Sequence, residues 1–148
     1  SLIGPIAGAL GITTDDLIAG QRTSNAPEVG NIRHLKFYRC PTCGNILTAT
    51  GAAQLACCGK PLEALVSSRE PDDAHRAQVE NIDGEYYVHL DHPMDKDHFI
   101  VFIAYVTSDR LQLVRMYPEQ EAETRLRISG HGTLFVCCTR HGLFETRL

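Results

Sequence analysis

The clearest pattern of hydrophobic and polar positions in this chain is a strict alternation at residues 123–128. Thr124, Leu126 and Ile128 alternate with Glu123, Arg125 and Arg127. Because successive side chains of a strand point to opposite faces, this pattern predicts a strand with one buried and one solvated face. Five further segments read as strands, namely 86–90, 99–106, 111–116, 132–138 and 143–146.

The segment 99–106 is apolar on both faces, which predicts a strand in the centre of the fold. Turn signals separate the segments, at Asp83-Gly84, Ser108-Asp109 and Gly130. Several short strands at this spacing are typical of a β-sandwich. We therefore predict a mainly β fold, with residues 67–148 as its sandwich domain.

The first 20 residues follow a helical pattern instead. Their apolar side chains recur near the helical period, at Leu2, Ile6, Leu10 and Leu17. Residues 6–17 resemble the last two helices of a Cro/C1-type helix-turn-helix domain. A plain helical cap or tail is the preferred interpretation, because short motif matches have a high false-positive risk. Residues 21–31 are typical of a linker, so 1–35 is predicted to be a helical segment with a linker.

Length and charge limit the classes of function. A chain of 148 residues with 43% hydrophobic side chains can bury one main core with small appendages. The net charge of -4 and the lack of a basic run argue against nucleic-acid binding. No stretch approaches the roughly 20 apolar residues of a membrane span, and no signal peptide is recognisable. We expect a soluble, cytoplasmic protein.

The six cysteines fall into clusters, which favours metal binding over disulfides. The clusters are Cys40-x-x-Cys43, Cys57-Cys58 and Cys137-Cys138. The first four thiolates can surround one tetrahedral ion, and both zinc and iron accept four sulfurs. One alternative is a purely structural zinc knuckle. Another is a thioredoxin-like redox pair, which is disfavoured because no helical pattern follows Cys43. Residues 36–66 are therefore predicted to form a metal module.

A second set of candidate ligands lies in the C-terminal half of the chain. It comprises His75, His92, His98, Cys138 and His141. Four imidazoles and one thiolate are one ligand short of an octahedral shell, and this mixture of nitrogen and sulfur suits iron. Adjacent strand residues face opposite ways, so Cys137 is predicted to be a packed thiol while Cys138 reaches the ion. The other histidines, His34, His89 and His131, are interpreted as structural or solvent-facing.

Four short motifs follow one another along residues 36–148. They are Cys40-Pro41-Thr42-Cys43-Gly44-Asn45, Cys57-Cys58-Gly59-Lys60-Pro61, His92-Pro93-Met94 with His98, and Cys138-x-x-His141-Gly142-Leu143. Together they resemble the desulfoferrodoxin family, the two-iron superoxide reductases. The resemblance implies a desulforedoxin/rubredoxin-like module followed by an immunoglobulin-like seven-stranded sandwich. It also implies that the four histidines of the second set hold iron in a plane, with Cys138 axial and a sixth position open.

The resemblance further implies an activity. Superoxide reductases reduce superoxide by one electron to hydrogen peroxide at a non-haem ferrous centre, and the four-cysteine iron is a possible electron relay. Iron is expected at both sites, with zinc possible at the four-cysteine site of recombinant protein. Rubredoxin is the expected type of electron donor, and the expected assembly is a homodimer.

The residues just before His75 depart from the family pattern. Where the family typically has Glu-Lys, this chain has Asp73 and Ala74, so the lysine that attracts superoxide is missing. Three cations could supply positive potential instead, namely Arg76, Lys96 and Arg140. Asp73 and Lys96 join the predicted catalytic set.

An iron-based redox sensor or regulator is the alternative function. In that interpretation the N-terminal helical segment belongs to a helix-turn-helix domain, and the state of the iron sets its activity.

Overall fold

The computed structural model describes residues 30–148. The predicted N-terminal helices and the resemblance to a helix-turn-helix domain fall on residues 1–29 and lie outside the described residues. The described chain is built almost entirely from strands and turns, with a 3₁₀ helix of three residues at Ile32–His34. Over the same residues, no helix has the length and apolar character that crossing a bilayer requires.

The strands of residues 30–148 form two small hairpins and two larger sheets. In chain order they are β1 (Lys36–Arg39), β2 (Ile46–Ala49), β3 (Leu55–Cys57), β4 (Lys60–Leu62), β5 (Ser67–Ser68), β6 (Gln78–Ile82), β7 (Glu85–His89), β8 (Ile100–Val106), β9 (Leu111–Arg115), β10 (Glu123–Arg127), β11 (Thr133–Cys138) and β12 (Gly142–Arg147). The hairpins are β1/β2 and β3/β4, and the sheets have the orders β10-β7-β6 and β5-β12-β11-β8-β9. All pairs are antiparallel except β5 with β12.

The prediction of a mainly β fold is confirmed, and each predicted sandwich strand has a counterpart among β7 to β12. Strand β6 was not predicted, because the adjacent polar residues Glu80 and Asn81 break the apolar alternation of this segment. With β6, the antiparallel strands of the two larger sheets number seven, as the family resemblance implied. The two-residue β5 adds a parallel edge.

The five-stranded sheet is buried on both faces, which explains why every residue of β8 is apolar and buried. On one face, Ile103 and Tyr105 pack with Val88 and Leu126 of the three-stranded sheet. We call this layer the inner cluster. On the other face, Phe102 packs in a second layer, the outer cluster, which the β1/β2 hairpin helps to build.

The β1/β2 hairpin covers the outer face of the five-stranded sheet. The ring centroid of Phe37 lies 5.1 Å from that of Phe102 and 5.1 Å from that of Phe135. The side chain of Arg115 also donates from Nη1 to the carbonyl oxygen of Gly44 at 3.1 Å. Residues of the predicted metal module therefore complete the core of the sandwich, and the domain boundary between residues 66 and 67 stays a prediction.

We predict that Gly132→Ala destabilises the fold. A Cβ atom at this position would lie 2.6 Å from Cε2 of Tyr105 and 2.6 Å from the carbonyl oxygen of Val106. Overpacking of this kind costs about 1–3 kcal/mol, so chemical denaturation should give a free energy of unfolding lowered by that amount. The exposed neighbour His131 offers the control, because His131→Ala should change stability by no more than about 0.5 kcal/mol. An unchanged unfolding midpoint for Gly132→Ala would contradict the close approach.

Candidate metal centres

The first candidate centre is a cluster of four thiols at the ends of the two small hairpins. It contains the sulfur atoms of Cys40, Cys43, Cys57 and Cys58, which all lie within 4.8 Å of one another. We call it the four-cysteine cluster. None of the six cysteines, all of which lie in the described residues, forms a disulfide.

Local turn geometry brings these thiols together. Cys40 follows β1, its N–H donates to the carbonyl oxygen of Asn45 at 2.9 Å, and its own carbonyl accepts from Gly44 N–H at 2.9 Å. The second pair sits in the turn between β3 and β4, where Cys58 and Gly59 have φ angles of 51° and 73°. Glycine adopts that left-handed conformation at little cost, which is why it can close so tight a turn.

The four thiols influence one another electrostatically. The backbone N–H of Cys43 lowers the pKa of Cys40 to about 6. The hydrogen bond with the Cys43 thiol raises the pKa of Cys58 to about 12. Four neighbouring thiols cannot all ionise without a cation, and a metal ion that binds them as thiolates displaces their protons. The cluster therefore has the donor set of a four-sulfur metal site.

The second candidate centre gathers five side chains at one end of the two larger sheets. It contains one donor atom each from His75, His92, His98, Cys138 and His141, all within 4.8 Å of one another. We call it the histidine–cysteine cluster. The structure thus brings together the predicted second set, and its role as a ligand set stays a prediction.

The β11/β12 hairpin positions Cys138 and His141. Cys138 is the last residue of β11 and pairs with Gly142, so the turn returns the chain beside it. The Cys138 sulfur lies 3.5 Å from Nδ1 of His141 and 3.4 Å from Nε2 of His92. Cys137 faces the opposite side, in the outer cluster, and burial raises the pKa of its thiol to about 12. The neutral thiol of Cys137 acts there as an apolar side chain.

Thr139 fastens this hairpin to the segment that carries His98. Its N–H donates to the carbonyl oxygen of Phe99 at 3.1 Å, and its hydroxyl accepts from Phe99 N–H at 3.2 Å. The same hydroxyl donates to the carbonyl oxygen of Asp97 at 3.3 Å, and Arg140 pairs with the Asp97 carboxylate at 3.1 Å. His98 itself closes a tight turn with Asp95.

Outer hydrogen bonds fix the tautomers of two histidines. Nδ1 of His92 lies 2.6 Å from the carbonyl oxygen of Pro93, and Nδ1 of His75 lies 2.5 Å from Oδ1 of Asp72. A carbonyl and an ionised carboxylate only accept, so each Nδ1 carries a proton, and in the neutral ring each Nε2 then keeps its lone pair. These two Nε2 atoms lie 3.2 Å apart. Two facing lone pairs repel unless a cation sits beside them.

A metal ion fits this cluster. Nε2 of His98 is buried and has no hydrogen-bond partner among the residues that the structure describes. Burial lowers the pKa of His92, which favours the neutral imidazole that metals require. Imidazole nitrogen combined with thiolate sulfur is the donor set of a borderline transition metal rather than of magnesium or calcium.

The remaining predicted residues are not among the donors of either cluster. The side chain of Asp73 is 102% exposed and pairs with Arg76 at 3.7 Å. Lys96 is exposed in the turn that precedes His98. Of the histidines set aside, His34 and His131 are exposed, and the ring of His89 lies against that of Tyr87.

Two residues that support the cluster were missed by the sequence analysis. Asp72 bonds to His75, and Thr139 bonds to the residues on either side of His98. The hydrogen bond with His75 lowers the pKa of the Asp72 carboxyl, which keeps it ionised. An aspartate three residues before a turn residue is a common signal for a side-chain-capped turn, which predicts the turn but not the bond to the His75 ring. Thr139 carries no comparable signal, because its partners at Asp97 and Phe99 are about 40 residues away in sequence.

Comparison with known proteins agrees with this architecture. Residues 32–65 match the family model described as Desulfoferrodoxin, N-terminal domain. Among solved structures, the superoxide reductase from Treponema pallidum superposes with a TM-score of 0.68 at 20% identity, covering 77% of this chain and 98% of that one. At this level of identity the match supports the fold.

The matches to two curated relatives extend over nearly the whole length of each relative. A desulfoferrodoxin homolog from Methanothermobacter thermautotrophicus is 30% identical over 118 residues, which are 74% of this chain and 95% of the relative. A desulfoferrodoxin from Syntrophotalea carbinolica is 30% identical over 121 residues, 76% of this chain and 95% of the relative. With this identity over almost the full length of its relatives, the chain belongs to the desulfoferrodoxin family.

Proposed function

We propose that this protein is a superoxide reductase, in which superoxide takes up one electron and two protons to give hydrogen peroxide. The observation that carries the proposal is the histidine–cysteine cluster, whose five donor atoms converge within 4.8 Å. Five donors leave an octahedral ion one position for a small anion. Membership of the desulfoferrodoxin family supports the same reaction, because superoxide reduction is what the family resemblance implies.

Iron is the proposed metal at both clusters. The five side chains of the histidine–cysteine cluster would hold a ferrous ion, which would supply one electron and a coordination position when bound. Cys138 would ligate as a thiolate and donate electron density to the metal. The outer partners of His75 and His92 hold a proton on each Nδ1 and leave each Nε2 turned inwards.

The cation that attracts superoxide is proposed to be Lys96. Arg76 is engaged with Asp73 and with the carbonyl oxygen of Pro71, and Arg140 is engaged with Asp97. Lys96 forms no ion pair with any residue in the range 30–148 and is exposed at the tip of its turn. Asp73 is proposed as a catalytic residue because of its place in the sequence, two residues before His75. Its carboxylate faces solvent in this structure.

The four-cysteine iron is proposed to relay electrons from an external donor such as rubredoxin. Cys43 and Cys58 are exposed, so a donor could approach this cluster closely. We also propose a homodimer in the cytoplasm, with residues 36–66 as the relay module and 67–148 as the catalytic domain.

Product stoichiometry tests the function. The protein is reconstituted with ferrous iron, mixed with superoxide in the presence of a reductant, and assayed for hydrogen peroxide and oxygen. One hydrogen peroxide per superoxide without oxygen release is expected for a reductase. Half that yield with oxygen release would indicate dismutation and contradict the proposal. Full iron loading with no turnover would favour the redox-sensor alternative.

At the four-cysteine cluster, we predict one iron ion with metal–sulfur distances of about 2.3 Å. Element-specific anomalous scattering from crystals of the reconstituted protein measures both the element and the distances. The adjacent pair Cys57 and Cys58 should distort the tetrahedron. A disulfide between these two residues, with no anomalous peak nearby, would refute the assignment.

Cys138→Ser and Cys137→Ser form a matched pair for the second centre. Cys138→Ser should remove the thiolate-to-ferric absorption of that centre and most superoxide reduction, because its sulfur is the one that faces the cluster. Cys137→Ser should keep both and chiefly lower stability, since it places a hydroxyl in the outer cluster. Spectra and turnover of the oxidised, reconstituted variants decide the matter. A Cys138→Ser protein that retains the thiolate-to-ferric absorption band and the activity would overturn the ligand assignment.

For Lys96, we predict that Lys96→Ala slows association with superoxide by roughly two- to tenfold at low salt. The loss should shrink as ionic strength rises, because salt screens exposed charges. Lys60→Ala is the control, since Lys60 is also exposed but lies on β4 beside the other cluster. Stopped-flow or pulse-radiolysis rates at two salt concentrations measure the effect. Equal rates for the two variants would refute steering by Lys96.

A further inference from the structure

The carboxylate of Asp72 makes two hydrogen bonds with one residue of the histidine–cysteine cluster. Oδ1 accepts from the backbone N–H of His75 at 3.0 Å and from its Nδ1–H at 2.5 Å. The side chain of Asp72 is 68% exposed, whereas that of His75 is 3% exposed. An exposed charge therefore holds a buried ring by its outer edge.

This contact determines which nitrogen of His75 faces the cluster. Because the carboxylate only accepts, Nδ1 carries a proton, and in the neutral ring the lone pair on Nε2 then points towards His92. In His92 the corresponding partner is an uncharged carbonyl, that of Pro93. Asp72 is thus the one carboxylate bonded to a cluster histidine among the residues that the structure describes.

His75 depends on this support more than a strand residue would. It lies in a turn at residues 73–75, outside every strand, and its N–H also donates to the carbonyl oxygen of Asp72 at 3.1 Å. On its face, the ring stacks on Phe144 with centroids 4.5 Å apart. Stacking fixes the plane of the ring, but a half-turn about its Cβ–Cγ bond returns the ring to the same plane with each nitrogen in the place of a carbon. The Asp72 carboxylate removes this freedom.

We propose that Asp72 is a positioning residue of the second metal centre, which orients His75, fixes its Nε2 as the metal-binding atom and raises its basicity. The inference rests on the proposed function, because it concerns the same centre. Carboxylate partners of ligand histidines typically change metal affinity by about 10–100-fold when they are removed. A more basic ligand also stabilises the ferric state relative to the ferrous state.

The experiment compares the unmodified protein with Asp72→Asn, Asp72→Ala and the control Asp91→Asn. Asn keeps the size of the side chain and can still accept from the backbone N–H of His75, but it removes the charge. Asp91 is an exposed carboxylate next to His92, and it makes no hydrogen bond to a cluster histidine among the described residues. The control therefore reproduces the change in charge near the centre without the contact.

Two readouts besides activity are measured. Affinity of the second site for ferrous iron is obtained by competition with a chelator, with Mössbauer spectroscopy to separate nitrogen-ligated from four-sulfur iron. The midpoint potential is obtained by titrating the absorption band that Cys138→Ser removes. Asp72→Asn should lower affinity at least tenfold and raise the potential, by about 59 mV for each tenfold change in the ferric-to-ferrous affinity ratio. Asp72→Ala should do the same and also lower the melting temperature.

The outcomes separate this inference from the proposed function. If the unmodified protein binds no iron at the second site, the proposed function fails. If it binds iron and Asp72→Asn matches it within twofold in affinity, with an unchanged potential, the role of Asp72 is refuted. Equal shifts in Asp91→Asn would refute it too, because they would reveal a general effect of charge.

Discussion

The hydrogen bonds between β11 and β8 are the constraint on which the histidine–cysteine cluster depends. They align Cys138 with Ile100, and the pairing continues from Thr139 to Phe99, next to His98. The register shifts between Cys137 and Cys138. A slip by one residue would exchange the faces of these two cysteines and turn the sulfur of Cys138 into the outer cluster. The identity of the inward thiol is therefore a property of the sheet rather than of the turn.

The five-stranded sheet also joins the two halves of the chain. Its outer face is completed by Phe37 of the β1/β2 hairpin, while its inner face carries Cys138. The five donors of the histidine–cysteine cluster come from segments that are distant in sequence and adjacent only in the folded state. An ion bound by all of them would stabilise the folded chain over the unfolded one, in which no such site exists.

Much of the fold could be predicted from local patterns. The alternation at 123–128 and the fully apolar run at 99–106 correspond to β10 and β8. The order of apolar and polar side chains in these segments shows whether one face or both faces of the strand are buried. β6 could not be predicted, since it buries only Val79 and Ile82 in part. Its pairing with β7 along the whole strand, rather than an apolar pattern, makes it a strand.

For the site, the residues that converge could be predicted and their supports could not. The short spacing of His92 with His98, and of Cys138 with His141, predicts that they are metal ligands. The ion pair between Arg140 and Asp97 depends on long, exposed side chains whose positions follow from tertiary contacts. Asp72 looked like one more polar loop residue, because its role exists only once His75 is fixed above Phe144.

The exposure of the five donors is graded, and the gradient gives the centre an inside and an outside. His75, His92 and Cys138 are buried, His98 is half-buried, and His141 is exposed. Water and chelators therefore meet the ring of His141 first, and an ion leaving the centre would begin by losing this ligand. The exposed histidine would govern how fast metal exchanges, whereas the buried donors would govern how tightly it is retained.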